Sequence, residues 1–195
     1  TDVKTNLWEY NVGGKLAYYF NDSSKLDIGY NYFDDKTGDG TQVYDPEGGY
    51  YKYRTHHAYT TYHGWVGATQ ITANAYMQLE NYMNQKEQLK TEKTPPFAIT
   101  QYALYLTDSH RNDAGLWISA TKSAGTHHKI TYGTDIRLSG ADASDIYFTA
   151  TDTIRNKGKM NAYALFAQDE LSFLNNKLKL VAGARVDMVT FRDAS

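Results

Sequence analysis

The chain contains 195 residues, with three prolines, 18 tyrosines and no cysteine, and its formal net charge at pH 7 is −2. A near-neutral chain lacks the basic surface that recognises nucleic acid, so no nucleic-acid partner is expected. The sequence contains no apolar run long enough for a membrane-spanning helix, so any contact with a membrane would have to be made by strands.

The chain begins with two segments in which apolar and polar residues alternate, and a short polar turn joins them. In the first segment the even positions of residues 8–20 form the apolar side, and residues 21–24 form the turn. In the second segment the apolar residues again occupy even positions, namely Leu26, Ile28, Tyr30 and Tyr32. Strict alternation places one set of side chains on each face of a strand, so both segments are predicted to be two-faced strands.

The middle of the chain alternates predicted strands with polar connections. Residues 34–49 form an acidic, glycine-containing loop, and strands at 50–63 and 69–82 flank a short link at 64–67. The second of these strands has its apolar residues at odd positions: Ile71, Ala73, Ala75, Met77 and Leu79. Residues 83–97 are polar and end in two prolines, so they are predicted to be a loop that cannot continue a central strand.

The segment from 98 to 123 allows two interpretations. Its apolar residues keep even parity on both sides of residues 108–115, so it is either one strand interrupted there or a small hairpin. A turn at 124–128 follows. A predicted strand follows the turn, and a loop at 139–158 follows the strand. The apolar residues of that strand are Ile130, Tyr132, Ile136 and Leu138.

Residues 160–187 form the clearest hairpin, with a polar turn at 174–177. On its second arm one parity is apolar and consists of Leu178, Leu180, Ala182, Ala184 and Val186. The other parity includes Lys179, Arg185 and Asp187. Each arm is therefore predicted to be a strand with one apolar face and one mostly polar face.

If residues 98–123 count as one crossing, the connections between the predicted strands alternate between short and long along the whole chain. This regularity is typical of outer-membrane barrels, in which short turns lie at one end and long loops at the other. The sequence thus predicts an all-β fold, an antiparallel up-and-down meander of about eight strands that is part of a large transmembrane β-barrel.

A soluble β-sandwich would also alternate apolar and polar residues, so the strand pattern alone does not separate the two classes. Aromatic side chains suit a membrane boundary, so the aromatic residues of the predicted strands favour the barrel. They include Tyr18, Tyr30, Tyr32, Tyr59 and Trp65. A soluble β-sheet adhesion or binding module of a larger surface protein is the alternative.

Residue patterns for catalysis or metal binding are weak. His56 and His57 are adjacent on a predicted strand and point to opposite faces, so they cannot share an ion. The spacing from Asp35 to Gly40 imitates the first half of a calcium loop, but its twelfth position is Pro46. With no nucleophile, zinc or phosphate-loop motif in the sequence, no enzyme activity, metal or cofactor is expected.

The hairpin segment YALFAQDELSFLNNKLKLVAGARVD resembles the barrel of TonB-dependent outer-membrane receptors. In that family an alternating strand ends in Ala-Gln-Asp-Glu, and after a short turn the next strand reads Leu-x-Leu-x-x-Gly-x-Arg-x-Asp. The matching positions are Ala167, Gln168, Asp169, Glu170, Leu178, Leu180, Gly183, Arg185 and Asp187. Residues 128–135 similarly resemble a strand that precedes a long loop in the family.

The resemblance implies a barrel of about 22 strands around an N-terminal plug, in the outer membrane of a Gram-negative bacterium. Residues 1–195 would then be a single internal segment of the barrel, without the plug or the closing strand. The implied partners are outer-membrane lipid, the receptor's own plug, the TonB complex acting through that plug, and a scarce substrate such as a metal–siderophore, haem or a similar chelate.

Two sets of side chains are expected to matter in such a receptor. The first faces the lumen and would contact the plug: Gln168, Glu170, Arg185 and Asp187. An alternative is that these residues only bridge neighbouring strands. The second set belongs to loops on the ligand side: Asp35, Asp39, Asp45 and Glu47.

Overall fold

A computed structural model describes residues 5–91, 99–175 and 177–194. These residues form one antiparallel sheet of eight strands that follow one another in chain order. The strands are β1 (Leu7–Asn21), β2 (Ser24–Gly38), β3 (Tyr50–Val66), β4 (Thr69–Thr91), β5 (Ile99–Ala124), β6 (His128–Tyr147), β7 (Thr153–Phe173) and β8 (Leu178–Ala194). The all-β meander is therefore confirmed. Within these ranges the structure contains no helix that is long and apolar enough to cross a membrane.

The pairing register brings the apolar positions of all eight strands to one face of the sheet. A single row across the sheet contains Leu16, Ile28, Thr60, Ala75, Leu116, Ile136, Tyr163 and Met188. We call this side the apolar face and the opposite side the polar face. The apolar residues, which occupy even positions on some strands and odd positions on others, thus form one continuous surface.

The apolar face is limited to a band across the middle of the sheet, which we call the apolar band. Along β6 it extends from Ile130 to Leu138, which at about 3.3 Å per residue is roughly 27 Å of strand. The sheet is a single layer in the described residues, so these side chains are not packed against a second layer. Leu16 and Val186, for example, are 68% and 73% exposed.

The structure differs from the prediction for the loop at 83–97 and decides between the two interpretations of the next segment. Strand β4 continues to Thr91 and pairs with β5, although residues 83–97 were predicted to be a loop; residues 92–98, which include both prolines, lie outside the described residues. Strand β5 is continuous from Ile99 to Ala124, so the one-strand interpretation of this segment is correct and the hairpin is wrong, and the strand has no interruption at 108–115.

The other loops are also shorter than predicted, because strands extend into them. Residues 139–147 and 153–158 belong to β6 and β7, and β2 continues to Gly38. Beyond the apolar band both faces of the sheet carry polar residues, so the alternation that marks a strand in the sequence disappears. Backbone pairing needs no such alternation and continues because each N–H and C=O still requires a partner.

Three aromatic rings on the polar face lie across glycines of the neighbouring strand. Each ring and glycine are directly paired in register: Gly29 with Tyr59, Tyr76 with Gly115, and Gly133 with Phe166. A ring that covers a glycine restores the packing that the missing side chain loses. Tyr59 therefore lies on the polar face. Trp65 has the same parity on β3, so the assignment of these two residues to a membrane boundary is wrong.

Gly133 is the position of the three where the backbone of the neighbouring strand, as well as a ring, limits the space. A Cβ at this residue would lie 2.6 Å from Phe166 Cζ and would also contact the Ile118 carbonyl oxygen. Gly133→Ala is expected to destabilise the intact protein by about 1–3 kcal/mol, since the ring and the backbone must both move. The measurement is the urea midpoint of unfolding in lipid vesicles.

Gly14→Ala is the matched control, because a Cβ at Gly14 would meet no atom within 4 Å. Alanine is also a better strand residue than glycine, so this variant should unfold at the same urea concentration as the wild type or a higher one. Equal midpoints for the two variants would contradict the proposed role of Gly133.

Candidate functional site

The polar side chains of the 160–187 hairpin form a cross-strand network on the polar face. The Arg185 guanidinium donates to Asp135 Oδ2 at 3.0 Å and lies 2.8 Å from Asp187 Oδ1. Asp135 is on β6 and Arg185 on β8, so the bridge passes over β7 at Ala164. Ala164 is the register partner of both carboxylates and is only 4% exposed. Its small side chain lets the guanidinium reach across.

Two further predicted residues lie close to this network. Lys179 Nζ donates to Glu170 Oε1 at 2.7 Å, which links β7 to β8. Gln168 is the register partner of Gly183. All four predicted lumen residues thus lie on the polar face. Glu170 and Arg185 make cross-strand contacts with charged groups, whereas Asp187 pairs with Arg185 on its own strand.

A shallow depression of about 490 Å³ brings part of this set together. Gln168 and Arg185 line it, together with Trp117, Phe166 and Gly183. Glu170 and Asp187 do not line it. The depression therefore combines a guanidinium, an amide and a flat apolar surface, which can bind a polypeptide segment through both charge and contact area.

Trp117 and Phe166 form the flat surface and were not recognised in the sequence. Their rings are parallel within 8°, with centroids 6.1 Å apart. Both residues have the polar parity of their strands, because Trp117 pairs with Asp135 and Phe166 pairs with Arg185. A large apolar residue on the mostly polar parity of a predicted strand is the sequence feature by which they could have been identified.

Other carboxylates on the polar face also join several strands. Asp113 accepts hydrogen bonds from Tyr76 Oη at 3.1 Å and from Ser139 Oγ at 2.7 Å, which connects β4, β5 and β6. Asp27 lies 3.4 Å from Lys15 Nζ and 3.2 Å from Lys25 Nζ. These contacts keep the register of the sheet and present charged groups along the polar face.

The acidic loop is held in place by Glu87, a residue of β4. The backbone N–H groups of Val43, Tyr44 and Asp45 donate to its carboxylate at 2.7, 3.0 and 2.7 Å. The Tyr102 hydroxyl donates to the same group at 2.7 Å. Glu87 is 4% exposed, and we call this arrangement the Glu87 latch.

The Glu87 latch lies at the end of the sheet beyond the apolar band. Glu87 has the parity of Leu79, so the loop is held against the side that continues the apolar face. Burial disfavours ionisation of Glu87, but hydrogen bonds from Asp45, Val43, Tyr102 and Tyr44 outweigh it and hold the pKa of Glu87 below its usual range. Burial and the bond to Glu87 raise the pKa of Tyr102 to about 12.

The four acidic residues predicted for the ligand side are placed differently from one another. Asp35 is in β2 and accepts a hydrogen bond from the Tyr53 N–H at 3.0 Å. Asp39 accepts from the Thr41 N–H at 2.7 Å, and Asp45 accepts from the Glu47 N–H at 2.8 Å. Glu47 pairs with Lys36 at 2.9 Å. Each carboxylate thus has its own partner, and the structure does not bring the four together.

The histidines follow the register in the same way. His56 lies on the apolar-face side and contacts Tyr30 Oη at 2.8 Å, whereas His57 stacks on Tyr59 on the polar face. Among the described residues, no group of three or more His, Cys, Asp or Glu side chains is arranged to hold a metal ion.

Replacing Glu87 tests the latch. Glu87→Gln removes the charge that three backbone N–H groups share, so the amides of residues 43–45 should exchange hydrogen at least about tenfold faster. The measurement is hydrogen exchange of the intact protein at neutral pH.

The wild type should lose the same protection in acid. The pKa of Glu87 is depressed in the folded state. Its contribution to the stability of the latch is therefore complete above the unfolded pKa of about 4.3, and it is lost as the pH falls through the lower folded pKa. Glu47→Gln, which removes only an exposed pair with Lys36, is the control. Unchanged exchange in Glu87→Gln would show that the loop is held by other contacts.

The chain was also compared with known proteins. No curated protein matches it. The family model described as TonB dependent receptor-like, beta-barrel matches residues 2–195. This match covers every strand of the sheet and includes the hairpin whose motif resembled the family. The chain therefore belongs to the β-barrel family of TonB-dependent receptors.

Proposed function

We propose that the chain forms part of the barrel wall of an outer-membrane transport receptor in a Gram-negative bacterium. The receptor would take up a scarce substrate such as a metal–siderophore, haem or a similar chelate. Membrane lipid would surround the apolar band, and the receptor's own plug would occupy the space on the polar face. The TonB complex would act on the wall only through that plug.

One observation carries this proposal. The register collects the apolar positions of eight strands into one band, and charged residues line the opposite face. A barrel in lipid needs an apolar exterior and a polar lumen, and an apolar band about 25 Å tall is typical of it. A strand tilted by about 40° turns the roughly 27 Å of β6 into a band of comparable height. The family match favours this reading over a soluble adhesion module.

The polar face suits a plug that must be held and also released. Gln168, Glu170, Arg185 and Asp187 would offer hydrogen bonds to it, and Trp117 with Phe166 would offer contact area. Exposed ion pairs contribute at most about 1 kcal/mol each, so several of them can position a plug without locking it. Force transmitted through TonB could then break them one at a time.

The ends of the strands beyond the apolar band suit the substrate side. The 39–49 loop contains Asp39, Asp45 and Glu47, and the Glu87 latch holds its backbone in one arrangement. Asp35 lies on the polar face below that loop. A loop that is already ordered loses less conformational entropy when a substrate binds. We propose that these carboxylates contribute to the substrate-side surface.

Placing a charge in the apolar band tests the membrane assignment. Ile28→Asp should destabilise the complete receptor in lipid vesicles by about 2 kcal/mol or more, because the carboxylate would face hydrocarbon. The measurement is urea unfolding monitored by tryptophan fluorescence. Asn74→Asp adds the same charge on the polar face and should be close to neutral. If the two variants behave alike, the proposed orientation of the sheet is wrong.

Removing the Arg185 guanidinium tests plug contact. In the complete receptor, Arg185→Ala should reduce substrate uptake severalfold and make the plug more sensitive to protease. The barrel itself should lose no more than about 1 kcal/mol, since the pairs with Asp135 and Asp187 are exposed. Arg54→Ala removes an ion pair with Asp34 on the outward side and should leave uptake unchanged. Unchanged uptake and plug protection in Arg185→Ala would leave only the strand-bridging role.

A further inference from the structure

A positively charged belt follows the apolar band on the outward side of the sheet. It consists of the three rows of outward-facing residues that come directly after the band. Lysines and arginines outnumber carboxylates in these rows, although the chain as a whole has a net charge of −2. The cations are Lys36, Lys52, Arg54, Arg155, Lys157, Lys159 and Arg192, and the carboxylates are Asp34, Asp108 and Asp142.

Two adjoining depressions connect this belt to the apolar band. The lower one, of about 230 Å³, is lined by Met77, Ala114 and Leu138 at the edge of the band. The upper one, of about 470 Å³, is lined by groups that include His110, Lys157 and Lys159. Both are lined by Asn112, Gly140 and Lys159, so they form one groove that is apolar at one end and cationic at the other.

Gly140 opens this groove. It is the register partner of both Asn112 on β5 and Lys159 on β7, and its missing side chain leaves space between them. A Cβ at Gly140 would overlap the Asn112 side-chain amide, so only glycine leaves that amide in place. Lys159, two residues beyond the row of Leu138, is exposed at the edge of this space. Its Cα is thus about 7 Å along the strand from the row of Leu138.

The carboxylate in the groove is already neutralised. Asp142 accepts hydrogen bonds from Arg155 at 3.1 and 2.9 Å and lies 2.7 Å from Lys157 Nζ. These two cations lower the pKa of Asp142 to about 2, so the cluster carries one net positive charge at neutral pH. Lys159 adds a second. His110 contacts Asn81 at 2.8 Å and lies 3.5 Å from Asp108 at the far side of the groove.

We propose that this groove binds a phosphate-bearing membrane lipid. Its headgroup phosphate would contact Lys159 and the Asp142–Arg155–Lys157 cluster, and the start of an acyl chain would lie against Met77, Ala114 and Leu138. A soluble phosphate would use only the cationic end, whereas an amphiphile uses the whole groove. The inference rests on the proposed function, because it requires the apolar band to lie in a bilayer.

The test measures lipid binding to the complete receptor in a neutral detergent, with phosphatidylglycerol as the probe and native mass spectrometry as the readout. Lys159→Gln should weaken binding about fivefold, which is the typical effect of one cation near a lipid surface. Gly140→Leu, which fills the groove without changing charge, should weaken it at least as much. Lys52→Gln removes a belt cation outside the groove and should have little effect.

Two ligand controls separate a lipid from other sources of the same chemistry. Phosphatidylcholine has the same chains without net charge and should bind more weakly than phosphatidylglycerol. Glycerol phosphate has the headgroup without chains and should not compete at equal concentration. Competition by glycerol phosphate would overturn the lipid assignment in favour of a phosphate site, and equal binding of the two lipids would overturn the role of charge.

Failure of this inference can be distinguished from failure of the proposed function. If Lys159→Gln and Gly140→Leu bind phosphatidylglycerol as well as the wild type does, the groove is not a lipid site. In that case the receptor can still insert into vesicles and transport its substrate. If the wild-type receptor does not insert into vesicles at all, the proposed function fails, and the lipid inference fails with it.

Discussion

Continuous backbone pairing between neighbouring strands is the constraint on which the rest of this structure depends. Each strand has its two rows of N–H and C=O groups, and in a sheet these groups are satisfied only by the strands on either side. A shift of one residue between any two strands would move every side chain of one strand to the other face. The register therefore determines which residues lie on the apolar face and which lie on the polar face.

The polar face shows how charged groups reinforce this register. The Arg185 bridge extends from β8 to β6 because Ala164 on the strand between them is small. Asp113 similarly joins three strands. Such contacts contribute little individually, but each one is correct only in a single register. The same groups leave hydrogen-bonding capacity on the polar face, so bridging the strands is compatible with the proposed contact with a plug.

Beyond the apolar band the strands continue, and both faces of the sheet carry polar residues. On the outward side, cations of the belt lie where lipid headgroups would end. At the far end of the same side, the Glu87 latch fixes the 39–49 loop through backbone N–H groups rather than through side chains. Glu87 appeared in the sequence as one charge in a polar stretch, since nothing local indicates which backbone it will meet.

The sequence alone determined the fold class, the apolar set on most of the strands and the family, because alternation and turn residues are local properties of neighbouring positions. It also placed Arg185 and Asp187 on the polar face correctly. Only the tertiary structure decided that β4 and β5 extend past the band, that Trp117 stacks on Phe166, and that Gly140 opens a groove beside Lys159. These features depend on pairing between residues far apart in the chain, and no pattern within one strand records them.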